Sequence, residues 1–324
     1  LTVDLRPYQK QSLKWMLDQE RSAGIGRVLW HGPLDLPGAH QPTYYSPFLN
    51  AFSSAAMPPT APRGGFLCEE MGLGKTVEVM ALILANPAPD PLPKLDSCHC
   101  RVNAKGTETS KFSCAGVKQG AKCDKKPSRA TLVICPVSLV GQWANEARDK
   151  CSSEDVTIYP YHGSNRRRDV EFLADHDVVV TTYATLSSDY SMANPGRAEK
   201  KEAEKKRKRG EEACPPPPLG PKKAVKASPL HAIHWHRIVL DESHSVKCAT
   251  TGHSVAAAAL VSQNRWCATG TPFGTSFGDL AGQLQFLQLH PLTNASKFKM
   301  LIHYPMVTIQ PEPQHVDRSP DPWP

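Results

Sequence analysis

Apolar positions along this chain follow two periods in turn. After Pro7, Leu13, Met16 and Leu17 recur at helical spacing, which predicts a helix across 5–21. Residues 22–62 are rich in Gly, Pro, Ser and aromatics with no sustained period, and read as a long irregular connection. Short apolar or β-branched runs then alternate with helical stretches. Strands are predicted at 65–68, 131–135, 156–159, 178–182, 237–240 and 266–269, and helices at 76–85, 139–150, 252–261 and 279–289. That alternation implies βαβ units: an α/β fold with a parallel sheet and helices on both faces. In such sheets ligands gather at the carboxyl ends of the strands.

Two segments break the pattern. Residues 86–129 are Pro-rich and hold four cysteines, and residues 190–228 are charged and Pro-rich. Neither can bury enough apolar surface to offset its ordering entropy, so both are expected to be mobile insertions. With 309–324 expected as a disordered tail, residues 1–308 read as one lobe. Eleven Lys or Arg and five Glu give 190–228 a charge of +6 out of the chain's +7. The net charge therefore marks a basic loop and does not by itself establish a nucleic-acid face. Within it Lys205–Arg209 (KKRKR) could serve nuclear import, tether DNA, or be a solvated loop.

Several of the ten cysteines sit singly in strand-like runs, as buried thiols do in reduced proteins, so an intracellular, and with the basic run a nuclear, location is expected. Cys98, Cys100, Cys114 and Cys123, with His99 among them, could hold a structural zinc. Their spacing matches no short zinc-finger pattern, and a cysteine-containing insertion without metal is the other reading. The longest apolar run, 79–85, is far short of the roughly 20 residues that cross a bilayer. The chain begins at Leu1 and ends in SPDPWP, which reads as an excerpt of something longer.

The strongest chemical signal is LCEEMGLGKT at 67–76, between a predicted strand and a predicted helix. Met71, Gly72, Leu73 and Gly74 form a loop whose glycines let the backbone curl, so that N–H groups at a helix N-terminus point at phosphate oxygens. Lys75 would set its ammonium on the β- and γ-phosphates of ATP, and Thr76 its hydroxyl on Mg²⁺. The bland alternative is a glycine-rich turn. The strict pattern asks for Gly where the chain has Glu69. A second signal, IVLDESH at 238–244, ends a strand in two carboxylates. Asp241 can hold Mg²⁺ and Glu242 can orient and deprotonate the attacking water, although a strand ending in Asp-Glu is common by chance.

LRPYQKQSLKWML, GGFLCEEMGLGKT, TLVICPVSLVGQWANEA, DVVVTTYATL, RIVLDESHSVK and RWCATGTP stand in the order of the helicase motifs of Swi/Snf-type ATPases. On these motifs, spanning about residue 3 to 305, the chain resembles the first RecA-like, P-loop lobe of a superfamily-two, Swi/Snf-type ATPase. The long connection ahead of the phosphate loop is most similar to the branch of the helicase-like transcription factor and its RING-bearing postreplication-repair relatives. The resemblance implies an ATP-dependent translocase on double-stranded DNA or chromatin, with no membrane partner and with a second helicase lobe supplying arginine fingers. The rival reading is a nucleotide- and DNA-binding scaffold lobe without turnover.

By the same resemblance Gln9 would read the adenine, and His244, Thr269, Gly270 and Thr271 would couple the ATP site to the nucleic acid. Pro136, Ser138, Gln142, Trp143, Thr181, Thr182 and Tyr183 would approach DNA, with core packing the alternative for Trp143. Two positions depart from the family: Glu69 replaces its usual Asp, and Phe273-Gly274-Thr275 follows Pro272 where Gln and Asn are common. No second lobe is recognisable in the 324 residues, and an arginine finger contributes about 10³–10⁵ in rate, so the lobe alone is expected to hydrolyse ATP poorly.

Overall fold

The computed structural model describes residues 1–21, 31–34, 43–46, 51–53, 63–92, 125–151, 156–194, 228–274, 276–289 and 292–303. Helix α1 (Pro7–Arg21) opens the chain. Strands β1 (His31–Leu34), β2 (Thr43–Ser46) and β3 (Ala51–Ser53) follow as a small antiparallel sheet in the order β1-β2-β3. The expectation of an irregular connection over 22–62 is thereby corrected. These strands are too short and too polar to show a period of two, and cross-strand pairs such as Tyr45 on Phe52, with ring centroids 4.9 Å apart, define them instead.

The main sheet is parallel throughout. Its strands are β4 (Arg63–Leu67), β5 (Lys126–Pro127), β6 (Thr131–Cys135), β7 (Ile158–Pro160), β8 (Val178–Thr182), β9 (Ile233–Asp241) and β10 (Val261–Ala268). The order across it is β4-β10-β9-β6-β8-β7, with β5 also paired to β9. The helices are α2 (Lys75–Ala85), α3 (Val140–Lys150), α4 (Val170–Ala174), α5 (Tyr183–Ala193), α6 (Gly252–Ala258), α7 (Leu280–Phe286) and α8 (Ala295–Phe298).

Alternation along the strands separates two cores. Val133, Cys135, Val178, Val180 and Val239 pack with Met16, Val79, Met80, Leu82, Val140 and Trp143, under α1, α2 and α3. Leu132, Ile134, Val179, Ile238 and Leu240 face Leu173, Tyr183, Leu186, Ala256 and Phe286, under α4 to α7. Central strands buried on both faces read as continuous apolar runs, which is why VVVTT and TLVIC were legible.

Helices α4 and α5 went unpredicted. Helix α4 is short, and Asp169 starts it by accepting from the amides of Glu171 and Phe172. Helix α5 is mostly Ser, Thr, Tyr and Ala, and is started by Thr182, whose hydroxyl accepts from Thr185 N at 3.1 Å. Its Asp189 is fully buried because Tyr161 Oη, Arg166 and Arg168 bind it at 2.6, 2.7 and 3.0 Å.

Both expected insertions begin and end inside the lobe. The first returns through β5, and Arg129 pairs with Asp90 across its neck. The second leaves from α5, and its return places Ser228 and His231 against the core, with His231 stacked on Tyr190 at 4.8 Å. The boundaries 86–129 and 190–228 therefore take in residues that belong to the lobe, and the interiors lie outside the described residues.

One buried network ties the first helix to the sheet. Glu20 at the end of α1 receives Arg237 Nε and Nη2 at 2.6 Å each, Trp266 Nε1 at 2.8 Å and Asn86 Nδ2 at 2.7 Å. Burial would raise the Glu20 carboxyl, but Arg237 and the other donors outweigh it and hold the group below the usual range.

Glu20→Ala is expected to leave the Arg237 guanidinium buried without its counter-ion and to cost about 3–5 kcal/mol in urea unfolding, with Glu20→Gln in between. A loss under about 1 kcal/mol would remove the pair from its structural role. Burial also holds His231 and His236 neutral, each lowered to about 4. An unfolded histidine binds its proton near 6.5, so the unfolded chain takes up protons first, and stability should fall as pH drops from about 6.5 towards 4. Urea midpoints across that range check it, and midpoints that do not move would contradict it.

Candidate functional site

Strand β4 ends at Leu67 and the chain turns through Gly72 and Gly74, both at positive φ, into α2. Gly74 sits in the left-handed region at φ 92° and ψ 31°, and no side chain caps the helix it starts. The positive φ is what calls for glycine there, and a Cβ would also lie 2.6 Å from Gln9 Nε2 and displace the end of that side chain. The open helix end offers unpaired amides and the positive end of the helix dipole, an arrangement that suits an anion. Lys75 stands at it with its ammonium on the loop carbonyls of Glu69 and Glu70, at 2.9 and 3.1 Å. Tyr8 Oη and Gln9 Nε2 both donate to Leu73 O, at 2.8 and 3.0 Å, so α1 fixes the far side of the loop.

Two strands away, β9 ends in Asp241. Its Oδ2 accepts from Trp143 Nε1 at 2.8 Å, its Oδ1 from Glu242 N at 3.0 Å, and its carbonyl from Tyr183 Oη at 2.8 Å. Burial raises the Asp241 carboxyl, Glu242 adds to the rise, and the Trp143 bond opposes it. Glu242 adopts φ 50° and ψ 53°, a left-handed conformation unusual for a residue with a side chain. That turn directs its carboxylate to His244 Nδ1 at 3.2 Å and Thr269 Oγ1 at 3.4 Å, while His244 and Thr269 are 3.3 Å apart.

Thr269 Oγ1 then accepts from Thr271 N at 3.2 Å, and Thr269 N donates to Leu67 O at 3.1 Å. Gly270 lies against the loop, where a Cβ would meet Glu69 O at 3.4 Å and Met71 N at 3.5 Å. The structure thus brings Gln9, 71–76, Asp241, Glu242, His244 and 269–271 to one edge of the sheet.

Thr76 and Asp241 offer hard oxygen ligands of the kind Mg²⁺ takes. One hydroxyl and one carboxylate suit an ion held together with substrate phosphates and water rather than by a protein cage. Among the described residues no group of three or more His, Cys, Asp or Glu could hold a metal alone. Cys98, Cys100, Cys114 and Cys123, the zinc candidates, lie outside the described residues.

Four expected DNA contacts need correction. Trp143, Thr181, Thr182 and Tyr183 are all buried, at 2, 0, 3 and 4 % exposure. The indole of Trp143 is bound to Asp241, Thr181 Oγ1 donates to Tyr161 O, and Thr182 starts α5. Their side chains present no surface to a strand of nucleic acid and act from beneath. Ser138 and Gln142 are exposed and Pro136 is partly so, at the start of α3. Gln9 is buried, with Oε1 on Arg6 N and Nε2 on Leu73 O, leaving one donor and one lone pair.

Sequence reasoning missed Tyr8, and it missed Gln283, which accepts from Ser243 and donates to Pro272 O. Neither carries a local signal, because each matters only through a partner distant in sequence.

The profile of the SNF2-related domain matches residues 8–318. The DNA repair protein RAD5B of Arabidopsis thaliana is 35% identical over 94% of this chain and 22% of its own length. The helicase-like transcription factor CHR27 of the same plant is 29% identical over 75% of this chain and 30% of its own. The chain thus spans about a fifth to a third of the length of these curated relatives. Among solved structures, the Sulfolobus solfataricus SWI2/SNF2 ATPase core in complex with dsDNA aligns with a TM-score of 0.50 at 20% identity. The alignment covers 95% of this chain and 40% of that one, and shows the same fold.

Trp143→Phe keeps the ring in the core and removes the donor to Asp241 Oδ2. It is expected to lower stability by about 1–3 kcal/mol in urea unfolding, more at neutral pH, where the carboxyl is ionised, than at an acid pH low enough to protonate it, since burial raises this group. Equal losses at both pH values would show that packing alone matters.

Proposed function

The chain belongs to the SNF2-related family, and on that premise we propose that it binds ATP at the β4–α2 loop and forms the first lobe of an ATP-dependent translocase on double-stranded DNA, working in chromatin remodelling or DNA repair. The observation that carries the reading is one juxtaposition: an open helix N-terminus bearing Lys75 shares a sheet edge with Asp241 and Glu242. An anion-binding end beside a water-activating carboxylate is what phosphoanhydride hydrolysis asks for.

In this reading backbone amides of 71–76 cradle the phosphates, and Lys75 leaves its loop carbonyls to meet the β- and γ-oxygens. Gln9, held against Leu73 O, keeps a free donor and lone pair for the base edge. Thr76 and Asp241 are the residues that would hold Mg²⁺, which when bound would neutralise charge on the phosphates. Glu242 orients the attacking water and takes its proton. Its contacts to Thr269 and His244 make the protonation of that carboxylate felt at 269–271. Pro136, Ser138 and Gln142 address DNA phosphates at the start of α3, which gives sequence-independent binding. The RAD5-type names of relatives and the DNA-bound archaeal core support this choice of partner. A second lobe of the full-length protein completes the site, and the protein works in the nucleus.

The test is ATP turnover by the full-length protein with and without duplex DNA. Duplexes of unrelated sequence should stimulate it alike. Lys75→Ala should weaken binding of a fluorescent ATP analogue at least about tenfold, as loss of a charge-assisted bond implies. Glu242→Gln should retain nucleotide and lose turnover, because activating water is a transition-state role. Turnover near the wild-type rate in Glu242→Gln, or indifference to DNA, would sink the proposal.

A further inference from the structure

Helix α7 carries a buried amide into the space between the two loops of the ligand edge. Its backbone lies directly on the turn after Glu242: Gly282 N donates to Lys247 O at 2.9 Å, and a Cβ on Gly282 would run into Val246 O. At that closeness the next side chain, Gln283, reaches both loops. Its Oε1 accepts from Ser243 Oγ at 2.7 Å, and its Nε2 donates to the Pro272 carbonyl and, at 3.4 Å, to Asp279 O. Gln283 and Ser243 are both wholly shielded from solvent. A carboxamide suits the place, because it accepts from a hydroxyl and donates to two carbonyls at once. Asp279 holds the same loop from the start of α7, its Oδ2 accepting from Gly274 N at 3.1 Å.

We propose that Gln283 is a positioning residue for Glu242: it locks the turn at 242–246 to the loop at 269–272, so that the carboxylate keeps its aim while it acts on water. Two connections join these segments. The first runs through Glu242 itself, whose Oε2 accepts from Thr269 Oγ1 at 3.4 Å. That contact occupies a carboxylate oxygen needed for the proton of the water, so it competes with the chemistry. The second runs from Ser243 through Gln283 to Pro272 and uses no atom of the Glu242 side chain. It therefore holds the two segments in register whatever the carboxylate is doing. Ser243 follows Glu242 directly, so fixing its hydroxyl also fixes the left-handed backbone, at φ 50°, that directs the carboxylate. After Pro272 the chain runs Phe273-Gly274-Thr275, without a long polar side chain to reach back, and α7 supplies the amide from outside the loop.

The inference rests on the reading of Glu242 as the group that activates water. The test is steady-state ATP turnover by the full-length protein with duplex DNA, in wild type, Gln283→Met, Ser243→Ala and the double variant. Methionine keeps the length of the side chain and removes its polar atoms. Misplacing a reacting group by about 1 Å can cost about 100-fold in rate, so Gln283→Met should lower kcat about ten- to hundredfold. KM for ATP and the Kd of a fluorescent ATP analogue should stay within about twofold, since the bridge touches no phosphate-binding group. Ser243→Ala should also lower kcat, and the double variant should be no slower than Gln283→Met, because both changes cut one bridge. A Gln283→Met kcat within about twofold of wild type overturns the inference and leaves the ATP site standing. So does a parallel loss of analogue affinity, the mark of a collapsed site, or a double variant whose losses multiply, the mark of two unrelated packing defects. If Gln283→Met does not fold, Ser243→Ala carries the test, and an unchanged kcat there overturns the inference. Failure of the wild type to bind the analogue or to turn over ATP overturns the reading of Glu242 and the positioning role with it.

Discussion

Glu20 accepts four hydrogen bonds from three parts of the chain, and the placement of α1 against the ligand edge follows from it. A buried ion pair this deep stabilises only when its geometry is good and its remaining lone pairs are filled. Here both conditions hold: Arg237 binds Glu20 through two nitrogens and also reaches Thr131 Oγ1 and Asn86 O, at 3.1 and 3.0 Å. The pair joins α1 to the middle of the sheet, and Asn86 brings in the end of α2. With α1 so held, Trp15 packs edge-on against Trp266 at 5.4 Å, and Tyr8, Gln9 and Ser12 fall against the β4–α2 loop. The loop is therefore gripped from α1 at two separate points, Leu73 O and the Glu69 carboxylate.

The other half of the edge is built from beneath. Trp143 and Tyr183, one from each layer of helices, converge on Asp241, so the acidic end of β9 is set by both cores at once. Burial that raises the Asp241 carboxyl is opposed by the indole N–H, which leaves the group dependent on a donor that no solvent can replace. Beyond it the left-handed turn at Glu242 is held by Asp241 Oδ1 on its own amide and by Ser245 N on its carbonyl at 3.0 Å. A strained conformation persists where its surroundings over-determine it. The outcome is a carboxylate whose contacts run to His244 and Thr269 and stop at the loop itself, through Gly270. Events at the carboxylate and at the loop are thus connected by direct contacts and not by distance alone.

Much of this was legible in the sequence, and for definite reasons. Central parallel strands must be apolar on both faces, so TLVIC, VVVTT and RIVLD stand out. A phosphate-type loop needs glycines at fixed places, and a strand ending in Asp-Glu shows itself, so the polypeptide chemistry of 71–76 and 241–242 is local. Helix α2 is announced by its apolar run. The order of the motifs then carries the family, because six of them in sequence constrain far more than any one does.

What the sequence could not determine is where a side chain's polar end goes. Trp143 on α3 reads equally as core or as surface, and only the close approach of β9 gives its N–H a partner. Thr181 to Tyr183 close a predicted strand at a position the resemblance gives to DNA, yet the stacking of α5 on the sheet buries them. Glu20 and Asp189 look like ordinary solvated acids on their helices; each is buried because a partner dozens to hundreds of residues away meets it there. The antiparallel strands over 31–53 exist by pairing with one another and not by their own pattern. Local periodicity and backbone requirements are written residue by residue, and so the sequence by itself determined the fold class and the glycine turn that opens α2. Desolvation and pairing of charge depend on three-dimensional neighbours, and only the tertiary structure decided those.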